Sequence, residues 1–146
     1  MSAREAKALT VGYAGVGLAL RWEFLDELLE QPPLPLDFLE ISPENYAGRG
    51  GYFPAALEQL VTSYQFLTHG LTMSIGASQL PPDDYFCEVL EEIKRVKSPI
   101  HSDHLCLGSA GSHLFHNLLP LAQNSNVAAH VARQVGEIEE RLERPF

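Results

Sequence analysis

Apolar and polar positions along the chain alternate between two periods. The run Ala14-Gly-Val-Gly-Leu-Ala-Leu20 is short and continuously small or apolar, the pattern of a buried strand. Trp22, Leu25, Leu28 and Leu29 then recur at helical spacing, which predicts a helix over 22–29. Gln31-Pro-Pro-Leu-Pro35 ends that helix, because proline lacks an N–H and fixes φ. A second strand is predicted over 37–42. Pro54 suits the first turn of a second helix, whose Leu57, Leu60, Val61 and Tyr64 share a face. A third strand is predicted over 66–75, with a break available at Gly70. Asp83 and Asp84 are expected to cap a third helix carrying Phe86, Val89, Leu90 and Ile93 on one face. A short fourth strand is predicted over 98–103. Ser125-Asn126 opens a fourth helix, with Val127, Val131, Val135, Ile138 and Leu142 along one side. Arg144-Pro-Phe146 begins a further apolar run.

The order is therefore βα four times, followed by the first residues of a fifth strand. Alternating strands and helices predict an α/β fold with a parallel sheet covered by helices. Two architectures satisfy the order. One is an open doubly wound sheet. The other is part of a (β/α)8 barrel, which takes about 250 residues when whole. At 146 residues the chain matches about the first four βα units of a barrel. Such a half barrel leaves two sheet edges and an interior unsealed, so it needs a partner, its other half or a rearranged sheet. No internal repeat or linker is visible. The stretch 106–124 reads as a long loop, of a length that is often functional.

Composition narrows the function classes. With 45% hydrophobic residues, the chain is neither disordered nor of low complexity. Its 10 Lys+Arg against 19 Asp+Glu give a net charge of −9, without the basic footprint of a nucleic-acid binder. No stretch approaches the roughly 18 apolar residues of a membrane span. Residues 1–10 carry Arg4, Glu5 and Lys7 and no apolar signal-peptide core. Cys87 and Cys106 form no CxxC pair, so a reduced, cytoplasmic protein is expected.

In either architecture ligands bind at the C-terminal strand ends. The polar residues there are Arg21, then Glu44-Asn45-Tyr46, then His69 with Ser74 and Ser78, then His101-Ser-Asp103-His104. Histidines and carboxylates converging on one face suit iron, zinc or manganese. His69 reads equally well as a ligand or as a core histidine bonded to a backbone carbonyl. Asp103 beside His104 reads as a carboxylate orienting a ring, with or without a metal beyond it. Strand alternation puts His101 and Asp103 on one side and His104 opposite, unless the strand has already ended, so the choice among them stays open. His113 and His116 flank Leu114-Phe115, and His130 beside Val127 and Val131 reads as a boundary histidine. The glycines at 12, 15 and 17 do not form GxGxxG, and the chain has neither a phosphate loop nor a GxSxG elbow. Cys106 reads as a buried structural cysteine rather than a nucleophile.

Four segments together resemble one family: Gly15-Val-Gly-Leu-Ala-Leu-Arg21, Glu40-Ile-Ser-Pro-Glu-Asn-Tyr46, Thr68-His-Gly-Leu-Thr-Met-Ser-Ile-Gly76 and His101-Ser-Asp-His-Leu-Cys106, followed by His116-Asn-Leu-Leu-Pro-Leu121. They resemble the multinuclear non-haem iron-dependent oxidases, xylose-isomerase-like barrels that include the iron subunit of methanobactin synthesis. The resemblance runs from Tyr13 to Phe146. It implies a (β/α)8 TIM barrel of which this chain, after an arm over 1–12, supplies the N-terminal half over 13–146, truncated at the fifth strand. It implies two or three iron ions, another divalent metal being the alternative, and a dioxygen-dependent modification of cysteine-containing ribosomal peptides. It assigns His69 and His104 as metal ligands, Asp103 as a supporting residue, and Glu44 and Asn45 to the pocket mouth; His101, from its place at the end of the fourth strand, is a further supporting or pocket candidate. The implied partners are a peptide substrate, a presenting protein, and either a second copy or the C-terminal half, since the family's remaining ligands lie on strands five to eight.

Two other functions stay in view. One is a half barrel with a structural or binding role and no catalysis. The other is a divalent-metal sugar isomerase, favoured only by analogy of fold. Asp103 is the one carboxylate at the ends of the third and fourth strands, and so sparse a carboxylate set counts against it.

Overall fold

The structure is a computed structural model and describes residues 15–31, 33–111 and 113–146, the side chain of His116 excepted. The expected arm over 1–12 lies outside the described residues. Four parallel strands form one sheet in the order β1-β2-β3-β4: β1 (Gly17–Ala19), β2 (Phe38–Ile41), β3 (Phe66–His69) and β4 (His101–Ser102). The register pairs Leu18 with Leu39, Leu39 with Phe66, and Thr68 with His101. Helices follow the strands: α1 (Leu25–Glu30), α2 (Tyr52–Leu60), α3 (Asp83–Arg95) and α4 (Ser125–Leu142). This is mixed α/β with a parallel sheet, compatible with part of a TIM-like barrel.

Several boundaries differ from the sequence expectation. The first strand is three residues long, and the first helix opens as a 3-10 turn over Trp22–Phe24 before α1. Trp22 is exposed on one side and stacks on Phe53, ring centroids 4.3 Å apart. The third strand stops at His69 rather than Ile75. Gly70 turns the chain away, and its N–H donates to the Ser102 carbonyl at 2.7 Å. Asp83 and Asp84 do not cap α3, since Pro82 takes the cap position. They lie instead in the first turn, where negative charge favours the helix N-terminus. The cap of α4 is Asn124, whose side chain accepts from the N–H groups of Asn126 and Val127 at 3.1 and 3.0 Å.

The stretch read as a long loop is largely an antiparallel hairpin of β5 (Leu107–Ala110) and β6 (His113–Leu119), turning at Gly111 with φ +58°. Helical periodicity cannot reveal a hairpin, and its glycines and serine masked the strand pattern.

One face of the sheet is buried. Leu39, Ile41 and Phe66 pack with Leu25, Leu28, Leu57 and Leu60 of α1 and α2. A second cluster joins Met73 and Ile75 to Phe86, Val89 and Ile93 of α3 and to Ile138 and Leu142 of α4. Each large aliphatic side chain removed from water here contributes roughly 1.5–3 kcal/mol. Arg141 of α4 pairs with Asp83 and lies 3.6 Å over the Phe86 ring, fastening α4 to α3. Beyond α4, the His101 N–H donates to the Pro145 carbonyl at 3.1 Å, so the apolar run after the fourth helix starts along the free edge of β4. Among the described residues no helix is long and apolar enough to cross a membrane.

Candidate metal-binding site

His69 ends β3 on the sheet face opposite the one covered by α1 and α2. His104 follows β4 by two residues. The two rings meet edge to face, centroids 4.6 Å apart, with their Nε2 atoms 3.5 Å apart. Both residues are half-buried. The inner nitrogen of each ring has an oxygen near it. His69 Nδ1 is hydrogen-bonded to the Ser102 hydroxyl at 2.9 Å, and His104 Nδ1 lies 3.6 Å from Asp103 Oδ1. The His69 ring is thus held at Nδ1 with Nε2 presented outward, the way side-chain oxygens orient metal-bound histidines, whereas His104 Nδ1 makes no hydrogen bond and that residue is fixed through its backbone N–H.

Asp103 is tied down twice more. Its Oδ2 accepts from the Met73 N–H at 3.0 Å and its Oδ1 from the His104 N–H at 2.5 Å. Burial pushes its carboxyl above the usual range, and the two N–H donors oppose that rise. Gly70 makes this packing feasible. A Cβ there would overlap Asp103 Oδ2 and come within 3.1 Å of His101 Nε2.

The other expected residues are distributed around this pair. β4 ends at Ser102, so alternation does not govern Asp103 and His104. His101 sits on the helix-covered face with Thr68, fully buried, its Nδ1 3.1 Å from the Thr68 hydroxyl. Burial lowers its pKa to about 4, so the ring is neutral at pH 7. Glu44 lies on a 3-10 turn over Pro43–Asn45 and reaches the segment following His69. Asn45 is exposed and lines a separate cavity of about 280 Å³ with Arg21, Trp22 and Glu23.

Sequence reading passed over two side chains here. Tyr85 donates its hydroxyl to Glu44 at 2.8 Å, and burial and that carboxylate together raise its pKa. Ser102 holds the His69 ring through its hydroxyl. Both lie one position beside residues chosen for a helix face or for charge. His130 bonds the Ala77 carbonyl at 2.7 Å as a boundary histidine. Cys106 is buried, with its thiol pKa raised by that burial, as a structural cysteine should be. Cys87 is an exposed free thiol.

A cavity of about 580 Å³ adjoins the segment after His69. It is lined by Thr72, Ala77, Leu80, Pro82, Tyr85 and Leu114, so the hairpin supplies one wall. A cavity of about 670 Å³ between α1 and α2 opens by Pro33 and Tyr64, at the opposite end of the strands from the histidines.

Two imidazole nitrogens 3.5 Å apart can both reach one ion at the roughly 2.1 Å of a metal–nitrogen bond. The pair therefore fits two ligand positions of one ion. Among the described residues no third His, Cys, Asp or Glu joins them in a group able to hold a metal.

A family model described as the RiPP precursor modification enzyme MbnB/TglH/ChrH matches residues 15–146. The chain belongs to this family. It is the family that the four sequence segments resemble, and the match takes in both site histidines. The UPF0276 protein of Shewanella loihica is 37% identical over 140 residues, covering 91% of this chain and 48% of the relative. That of Shewanella oneidensis is 38% identical over 138 residues, covering 90% and 47%. That of Neisseria meningitidis is 30% identical over 127 residues, covering 86% and 45%. The chain spans about half the length of the curated relatives it matches.

Proposed function

We propose that the chain is the N-terminal half of a xylose-isomerase-like (β/α)8 barrel and contributes two histidines to the iron centre of an oxidase acting on cysteine-containing ribosomal peptides. The facing Nε2 atoms of His69 and His104, the first ring held by Ser102 at its Nδ1 and the second residue by Asp103 at its backbone N–H, carry this reading. Iron held there would supply the redox chemistry of thiol oxidation. Ser102 keeps the His69 ring aimed, Asp103 steadies His104 and the turn at Met73, and the cavity beside Thr72 and Tyr85 is wide enough to receive a peptide side chain. The remaining ligands come from a second polypeptide segment, and a presenting protein brings the peptide. A structural or binding role without catalysis is the second reading. It is favoured by the absence of a third ligand among the described residues.

Metal content per chain, measured on protein purified without oxygen, tests the proposal. Iron near or above one per chain, lost in His69→Ala and in His104→Ala, is the expected outcome. Metal content equal in wild type and both variants overturns the ligand assignment. A folded assembly that takes up no iron selects the second reading.

A further inference from the structure

We propose that Glu44 is a positioning residue for the histidine pair, gathering the turn that follows His69 onto one carboxylate oxygen. The inference rests on the metal-centre reading above. Glu44 Oε1 accepts from the Leu71 N–H at 2.7 Å, the Thr72 N–H at 3.2 Å and the Tyr85 hydroxyl at 2.8 Å, with the Thr72 hydroxyl at 3.4 Å. Its base is rigid: the Asn45 and Tyr46 N–H groups close the 3-10 turn at 3.0 and 2.9 Å, and Tyr46 is buried. The segment from Gly70 to Met73 is thus held at three points. Gly70 N–H bonds the Ser102 carbonyl, Leu71 and Thr72 bond Glu44, and Met73 N–H bonds Asp103. Bonds to an ionised carboxylate are about twice as strong as neutral ones, so two carboxylates from neighbouring strand ends fix the backbone leaving His69.

Glu44 Oε2 is buried without a partner, while Oε1 takes every contact. Tyr85 and Thr72 also wall the 580 Å³ cavity, so the same oxygen joins that wall to His69.

The test uses the full chain in three forms: wild type, Glu44→Ala and Glu44→Gln. Glutamine keeps an acceptor at the Oε1 position, removes the charge and puts an amide NH2 in place of Oε2. The first readout is the imidazole nitrogen NMR of the metal-free protein. The second is titration with cobalt(II), whose visible band reports ligand geometry. In Glu44→Ala the His69 ring signals are expected to shift while those of His113 and His130 stay unchanged. Cobalt(II) affinity should fall about tenfold with an altered band. Glu44→Gln should restore most of both. Unchanged His69 signals and an unchanged cobalt(II) band in Glu44→Ala, whatever its melting temperature, overturn the proposal. Should Glu44→Ala fail to fold, Tyr85→Phe removes one donor and decides in its place: a shift at His69 supports the proposal, and none overturns it. A wild-type chain that takes up no cobalt(II) defeats the metal reading, while the metal-free ring signals still decide the role of Glu44.

Discussion

His101 shares a motif with His104 and has a different physical fate. Its side chain is fully buried on the helix-covered face, with Nε2 unpartnered and the Phe146 ring 5.8 Å away. Burial lowers its pKa from the ordinary 6.5 to about 4. Glu44 pulls it back up, while His69 and Arg144 push it further down. Between pH 6.5 and about 4 the unfolded chain therefore binds a proton that the folded chain refuses. Stability is complete above pH 6.5 and falls as the pH drops through that window, by up to about 1.4 kcal/mol per pH unit. His101→Phe keeps the volume and removes the proton site. Urea denaturation of both proteins from neutral pH to about 4.5 should give a wild-type curve that falls more steeply. Parallel curves would show that His101 is not the group responsible. His101 is a pocket candidate by sequence because a strand over 98–103 would put it on one side with Asp103. Its register with Thr68 puts His101 on the buried face, and the strand ends at Ser102 before Asp103 and His104.

At the scale of elements, the hairpin hangs on one hydroxyl. Ser74 has a left-handed backbone, φ +53°, and is buried, and its Oγ accepts from the Gly108 and Ser109 N–H groups at 2.9 Å each. The Gly76 N–H adds a bond to the Cys106 carbonyl at 2.9 Å. Ser74→Ala leaves two amides without their acceptor, at a cost of roughly 1–3 kcal/mol. Amide hydrogen exchange at Gly108 and Ser109 should accelerate, while exchange in β2 and β3 stays as in wild type. Equal exchange at Gly108 and Ser109 in the two proteins would mean the hairpin is anchored elsewhere. Helices α3 and α4 and strand β2 were legible because their apolar spacing decides burial: Phe86, Val89, Ile93, Ile138 and Leu142 all point inward as the period requires. The segment 70–75 is expected as strand because Leu71, Met73 and Ile75 alternate like one, yet the strand ends at His69. Bonds from Glu44, Asp103 and Ser102, all distant in sequence, bend it into a turn, and no local pattern encodes them. His69 and His104 were legible as residues through their motifs, but their meeting depends on that same turn.

At the scale of the whole molecule, the sheet is covered on one side. Leu39, Ile41, Phe66 and Thr68 are buried, while Phe38, Glu40, Leu67 and His69 on the opposite face are only half so. Parallel sheets in α/β proteins have both faces covered. Among the described residues nothing pairs with the outer edge of β1, where Leu18 is 47% exposed, and Leu105, Leu114 and Leu118 are more than half exposed nearer the hairpin. An unpaired apolar edge templates pairing with another chain, and a lysine there opposes it. The isolated 146-residue chain should therefore associate, its mean mass rising above 16.1 kDa with concentration in light scattering or sedimentation. Leu18→Lys replaces an exposed side chain, so it should leave the fold intact and lower the mean mass at every concentration. If wild type stays at 16.1 kDa throughout, the β1 edge is already covered within one chain. If both proteins associate equally, the half-open face with Phe38 and Leu67 drives the contact instead. Measuring iron on the same samples ties this to the site, because ligands supplied by a neighbour would make metal per chain rise with the mass.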